Sequence, residues 1–92
     1  MKKGNGVLKQ ITSGMVSETD VMPGHPIIEI FSNCRVLVEL HNGIIEYGQN
    51  KIVVSVRYGY VCICGHKLEV VRMTAQQLVI AGEIASVQLL RR

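Results

Sequence analysis

The sequence predicts an all-β fold, an antiparallel meander of about seven or eight short strands forming a roll or small sandwich, with a short helical segment before it. Three observations carry that prediction. Apolar runs of four to seven residues recur from Ile27 to Leu90, the clearest of them alternate with polar residues at period two, and Gly or Asn separates one run from the next. The connections are two to four residues long, which suits hairpins and not parallel crossovers, since those need about a dozen residues or more.

In chain order, residues 7–16 place Val7, Leu8, Ile11, Met15 and Val16 near one helical face, interrupted by Gly14. That pattern predicts a short amphipathic helix. Pro23, Gly24 and Pro26 then halt any helix, because proline lacks the N–H and restricts the residue before it. The chain therefore divides into a basic, weakly amphipathic segment over 1–22 and a single β-domain over 23–92. Strands are expected at 27–31, 35–40, 44–47, 51–57, 60–64, 67–73, 77–81 and 84–90. In 51–57, Ile52, Val54 and Val56 share one face while Lys51, Ser55 and Arg57 share the other, the mark of a half-buried strand. Leu68 with Val70 and Leu78 with Ile80 repeat the pattern. Tyr60 to Cys64 is apolar on both faces, so it belongs in the middle of the sheet.

Size and charge restrict the function classes. A chain of 92 residues supports one core and leaves no room for a separate catalytic domain. Ten Lys and Arg against seven Asp and Glu give a net charge of +3, and the signs are interspersed between Glu29 and Arg72. That describes a solvated surface and predicts no nucleic-acid partner. The basic residues gather at the two ends, Lys2, Lys3 and Lys9 at one and Arg91 and Arg92 at the other, where contact with an anionic membrane surface is open to them. The charge-free stretches are about half the roughly twenty residues a bilayer demands, so no transmembrane span is expected. No apolar core of a signal peptide follows Lys2 and Lys3. Three cysteines, an odd number, fit free thiols in a reducing, cytoplasmic compartment.

Gly48, Gly65 and Gly82 stand 17 residues apart, each where a strand is expected to end. Together with Gly43 and Gly59 they are read as structural turns, glycines supplying left-handed φ. A phosphate cradle would need a Gly-rich loop opening a helix, and no helical pattern follows. A stacked β-solenoid is the structural alternative, though its coils would show stricter self-similarity.

Cys62-x-Cys64-x-His66, with His25 and His41 elsewhere, invites a zinc site. Strand residues two apart are separated by roughly 6.6 Å, whereas thiolates bound to one tetrahedral zinc at about 2.3 Å lie near 3.8 Å from each other. The expectation is no metal, no cofactor and packed thiols. Cys64 and His66 share a side of an extended chain, but no third group or oxyanion hole is visible for nucleophilic catalysis. Glu29, Glu39, Glu46, Glu69 and Glu83 read as solvent-face carboxylates. No catalytic residue is assigned. Arg57-Tyr58-Gly59-Tyr60 has a basic-aromatic look but is more simply a turn between tyrosine-bearing strands.

The order of motifs carries a resemblance. Pro26-x-Ile28-x-Ile30 is followed by Val36-x-Val38-Glu39-x-His41-x-Gly43-Ile44-x-Glu46-Tyr47, by Ile52-x-Val54 and Gly59, by Ile63-x-Gly65-x-x-Leu68-x-Val70, and by Leu78-x-Ile80-x-Gly82-x-Ile84-x-Ser86-Val87. This succession resembles the YabP/YqfC family of sporulation proteins of spore-forming Firmicutes, most nearly its YqfC branch, and the resemblance spans about residues 7 to 90. The family often has glycine near the turn held here by Ser32-Asn33, where Asn can supply the left-handed conformation. Tyr58 to Cys64 is more aromatic and Cys-rich than the family pattern, so the resemblance gives those residues no role.

The resemblance implies a non-enzymatic protein of the mother-cell cytoplasm needed for endospore development, peripheral at the forespore membrane. It also implies a membrane-bound partner similar to YqfD. The reading that follows is an interaction or adaptor module, with self-association through edge strands as a further mode and a self-assembling spore-envelope layer as the alternative. His41, Glu46 and Tyr47, the polar positions most tied to the family pattern, are the candidate interaction residues.

Overall fold

A computed structural model describes residues 24–92. The segment 1–22 and the helix expected within it lie outside the described residues. Six strands follow in order: β1 (Ile27–Phe31), β2 (Arg35–Glu39), β3 (Ile44–Tyr47), β4 (Lys51–Val56), β5 (Gly59–Met73) and β6 (Gln77–Arg91). All pairings are antiparallel, in one sheet of order β1-β2-β6-β5-β4-β3. No helix occurs among the described residues.

The count of strands corrects the expected seven or eight. The runs 60–64 and 67–73 are one strand, as are 77–81 and 84–90, so two 15-residue strands stand where four short ones were predicted. Gly65 and Gly82, read as turns, sit inside β5 and β6. A simple meander is also corrected, since β3 to β6 follow one another in space but β2 lies beside β6.

That topology forces the sheet to curl. β2 and β3 are four strand spacings apart, about 19 Å if the sheet were flat, yet residues 40–43 alone connect them, and five residue steps reach at most about 18 Å. The connection also has work to do along its length: Leu40 N–H donates to the Gln76 carbonyl (2.6 Å) and Asn42 N–H to that of Ser55 (2.7 Å). Curling places the apolar faces of β2 and β4 against each other although β6 and β5 separate them in the sheet. Val36, Val38, Ile52, Val54, Val56, Val61, Ile63, Leu68, Leu78 and Ile80 accordingly form one buried cluster. The architecture is a single open sheet rolled over one core, not two separate sheets.

The bend lies where β5 and β6 carry irregularities, between Cys64 and Gly65 and between His66 and Glu69. An extra residue on one strand of a pair kinks it and increases its twist. Gly65 permits this by absence of a side chain, because a Cβ there would lie 1.9 Å from the Glu83 carbonyl oxygen. Gly82 does so by conformation, with φ at +144°. Both neighbouring turns are tied to the bend. Gly65 N–H donates to Asn50 O (3.0 Å) and Leu68 N–H to Gln49 O (2.8 Å) from the β3–β4 turn, while Gly82 and Ile84 N–H donate to Cys34 O (3.2 Å) and Asn33 O (2.7 Å) of the β1–β2 turn. In the latter turn it is Ser32, at φ 53°, that takes the left-handed conformation expected of Asn33.

Candidate functional site

His41, Glu46 and Tyr47 are divided by the fold. His41 follows β2 on the connection to β3 and is only 8% exposed. Gly43 N–H donates to its Nδ1 at 2.9 Å, which leaves Nε2 to donate to the Thr74 carbonyl at 2.9 Å. The ring thus pins the β2–β3 crossover to the β5–β6 turn and has no ring nitrogen left for a partner. Thr74 is itself held, its hydroxyl accepting Gln77 N–H at 2.9 Å. Glu46 and Tyr47 lie on β3, an edge strand, and both are exposed. Lys51 Nζ comes within 4.0 Å of Glu46 Oε1, a surface pair of small energetic weight.

Among the described residues the sheet has two open edges. β3 carries Ile45 (57% exposed) and Tyr47 (59%), and β1 carries Ile30 (54%) and Phe31 (48%). Its pairing with β4 shifts register between Ile44 and Glu46, so Ile45 is the bulged residue there. Unpaired N–H and C=O groups beside exposed apolar side chains are what a second strand can add to.

Cys62 and Cys64 share the face of β5 turned away from the core. Their sulfurs are 3.8 Å apart, so the spacing argument against zinc fails: the side chains lean together from strand positions that would hold them farther apart. Among the described residues no group of three or more His, Cys, Asp or Glu is placed to hold a metal. His66, beyond the first bulge, is exposed. Burial pushes the Cys62 thiol above its usual pKa, the Cys64 hydrogen bond and charge add to the rise, and Lys51 opposes it. A thiol shifted that way is a poor nucleophile.

A further surface escaped the strand-by-strand pattern. At one end of the sheet His25, Pro26, Ile28, Tyr58, Leu89 and Arg91 help to line an open groove of about 590 Å³ floored by Val56 and Val61. Its walls come from three parts of the chain more than twenty residues apart, so no local spacing marks it. The basic-aromatic run at 57–60 and the basic end at 91–92 were its only traces in the sequence.

No helix among the described residues is long and apolar enough to cross a membrane. Neither the curated proteins nor the solved structures include a match to this chain. The family model described as the YabP family matches residues 24–92, the whole of the described sheet and well over half of the sequence, and the chain therefore belongs to the YabP family.

Proposed function

We propose that the protein is a non-enzymatic interaction module of sporulation, of the YqfC branch, which recruits a membrane-bound, YqfD-like partner by adding a strand of that partner to β3. Family membership is consistent with a sporulation-related role. The observation that carries the adaptor reading is the β3 edge, where Ile45 and Tyr47 are more than half exposed beside an unpaired backbone. In such complexes main-chain bonds supply affinity and alternate side chains supply selectivity. Glu46 and Tyr47 are the contact residues in this reading, and His41 supports them from behind by fixing the crossover that leads into β3.

Co-purification of the tagged full chain from sporulating cells tests it. Wild type is expected to bring down a membrane sporulation protein, and Ile45→Lys, an exposed change on the edge, to lose it while keeping the same circular dichroism spectrum. Equal recovery by both would sink the β3 assignment. A second reading is favoured by the opposite edge, β1, which is also open and apolar at Ile30 and Phe31. Pairing β1 of one copy with β3 of the next is a head-to-tail contact, which extends without limit where the rotation between copies does not close a ring, and in that reading the chain builds a spore-envelope layer. Concentration-dependent assembly of the purified protein, abolished by Ile45→Lys and by Ile30→Lys alike, distinguishes that reading.

A further inference from the structure

The end of the sheet that bears the groove is also where positive charge collects. Arg57 and Tyr58 form the β4–β5 turn, Gly59 stands opposite Arg91, and Arg92 N–H donates to Tyr58 O at 3.1 Å. Arg57, Arg91 and Arg92 therefore share one end, with His25, whose ring lies 5.0 Å from that of Tyr58. Among the described residues none of the three arginines is ion-paired. The described acids are Glu29, Glu39, Glu46, Glu69 and Glu83, and none falls within 24–28, 55–61 or 88–92. The sole ion pair among the described residues is Lys51 with Glu46. Arg57 is stacked 5.1 Å from the Tyr58 ring and Arg92 5.0 Å from the Tyr60 ring. The Arg92 guanidinium donates to the neutral oxygens of Tyr60, Ser55 and Val56.

Beside these cations are the most exposed apolar side chains of this end, Leu89 at 69%, Tyr58 at 51% and Leu90 at 47%. Leu89 pairs with buried Val61 and Leu90 with Tyr60, and both leucines border the groove. The combination distinguishes between anionic partners. A nucleic acid would engage the arginines but give two exposed leucines nothing to enter. A bilayer surface offers phosphates to guanidinium groups, an interfacial layer for tyrosine and an acyl boundary for leucine.

We infer that this end of the sheet, Arg57, Tyr58, Leu89, Leu90, Arg91 and Arg92, docks on an anionic phospholipid membrane. The contact is separate from the β3 edge and does not depend on a protein partner.

Sedimentation of the full chain with protein-free vesicles tests it, comparing pure phosphatidylcholine with vesicles in which about a third of the lipid is phosphatidylglycerol. Binding is expected to the anionic vesicles and to weaken with salt. Replacing all three arginines by glutamine should lower it about a hundredfold, at about fivefold per arginine. Arg92 also makes structural contacts, so Arg57→Gln with Arg91→Gln, expected to lower binding about twenty-five-fold, is the companion variant if the triple change unfolds. Leu89→Ser, at a side chain two-thirds exposed, should weaken vesicle binding without moving the unfolding midpoint. Failure to bind anionic vesicles overturns the inference. So does full binding by the arginine variants, or a loss seen only when Lys2, Lys3 and Lys9 are changed to glutamine. Tighter binding to a short single-stranded oligonucleotide, indifferent to Leu89→Ser, would assign the surface to nucleic acid instead.

Discussion

Replacing Gly65 by alanine tests whether the bend in β5 and β6 depends on close approach of two backbones. The added Cβ would lie 1.9 Å from the Glu83 carbonyl oxygen and 3.2 Å from Ala85 N, whereas carbon in ordinary contact needs about 3.5 Å. β6 would have to withdraw by about 1.6 Å, enough to take a hydrogen bond near 2.9 Å beyond useful length. Two or three ladder bonds at the bend are at stake, at about 1 kcal/mol each, with partial loss of packing around Leu68, which is 2% exposed. The sum is about 3–5 kcal/mol, against a total of about 5–15 kcal/mol for a whole domain. Gly48→Ala is the control: its nearest neighbour would be Lys51 O at 3.4 Å, and its cost should stay below about 1 kcal/mol. Urea unfolding followed by circular dichroism measures both. At a slope of about 1 kcal/mol per molar urea the Gly65 variant should lose about 3 M in midpoint, or fail to fold. Matching midpoints for the two variants would refute the close-approach argument and leave Gly65 as an ordinary position of β5.

His41→Ala should cost about 2–4 kcal/mol, since it deprives Gly43 N–H and Thr74 C=O of partners in a part-buried place; thermal melting at neutral pH reads this as a drop of about 10–20 °C. Glu46→Gln, by contrast, should change stability by less than about 0.5 kcal/mol, so any loss of partner recovery from it reports contact and not folding. For Cys62 the folded thiol pKa lies above that of the unfolded chain, mainly through burial. Its contribution is therefore fully present below the unfolded value and is lost as pH rises through the folded one. Cys62→Ala should flatten the alkaline fall in stability, and iodoacetamide should alkylate exposed Cys34 before Cys62 at mildly alkaline pH.

Alternation marked the core well. Ile52, Val54 and Val56 are buried as the period-two pattern of 51–57 requires, and Leu78 and Ile80 likewise. The central place of β5 followed from its two apolar faces. The merging of four runs into two long strands was hidden because glycine marks both a turn and a bulge, and only the neighbouring strand decides which. At Gly65 that neighbour is Glu83, paired through a bend. The β2–β6 pairing was equally hidden, since Val36 opposite Ile80 is a contact over more than forty residues with no local trace. Of the candidate residues, Glu46 and Tyr47 stand exposed on an edge, whereas the inward ring of His41 depends on Thr74, far along the chain. The convergence of the Cys62 and Cys64 sulfurs depends on side-chain torsions, which spacing does not fix.

The place of β2 beside β6 also governs the order in which the chain can acquire its structure during synthesis. β1 and β2 emerge early, but their other neighbour is the last of the six strands to be made. Until residues 77–84 are available, the first hairpin has only itself to pair with, and Val36 and Val38, fully enclosed in the finished protein, face water. A lone hairpin is at best marginally stable. β3, β4 and β5 meanwhile form a second piece lacking the same strand. Completion of β6 joins both pieces at once, so folding is set to occur late, as a single event, and the nascent chain passes through a period in which its stickiest surfaces are uncovered.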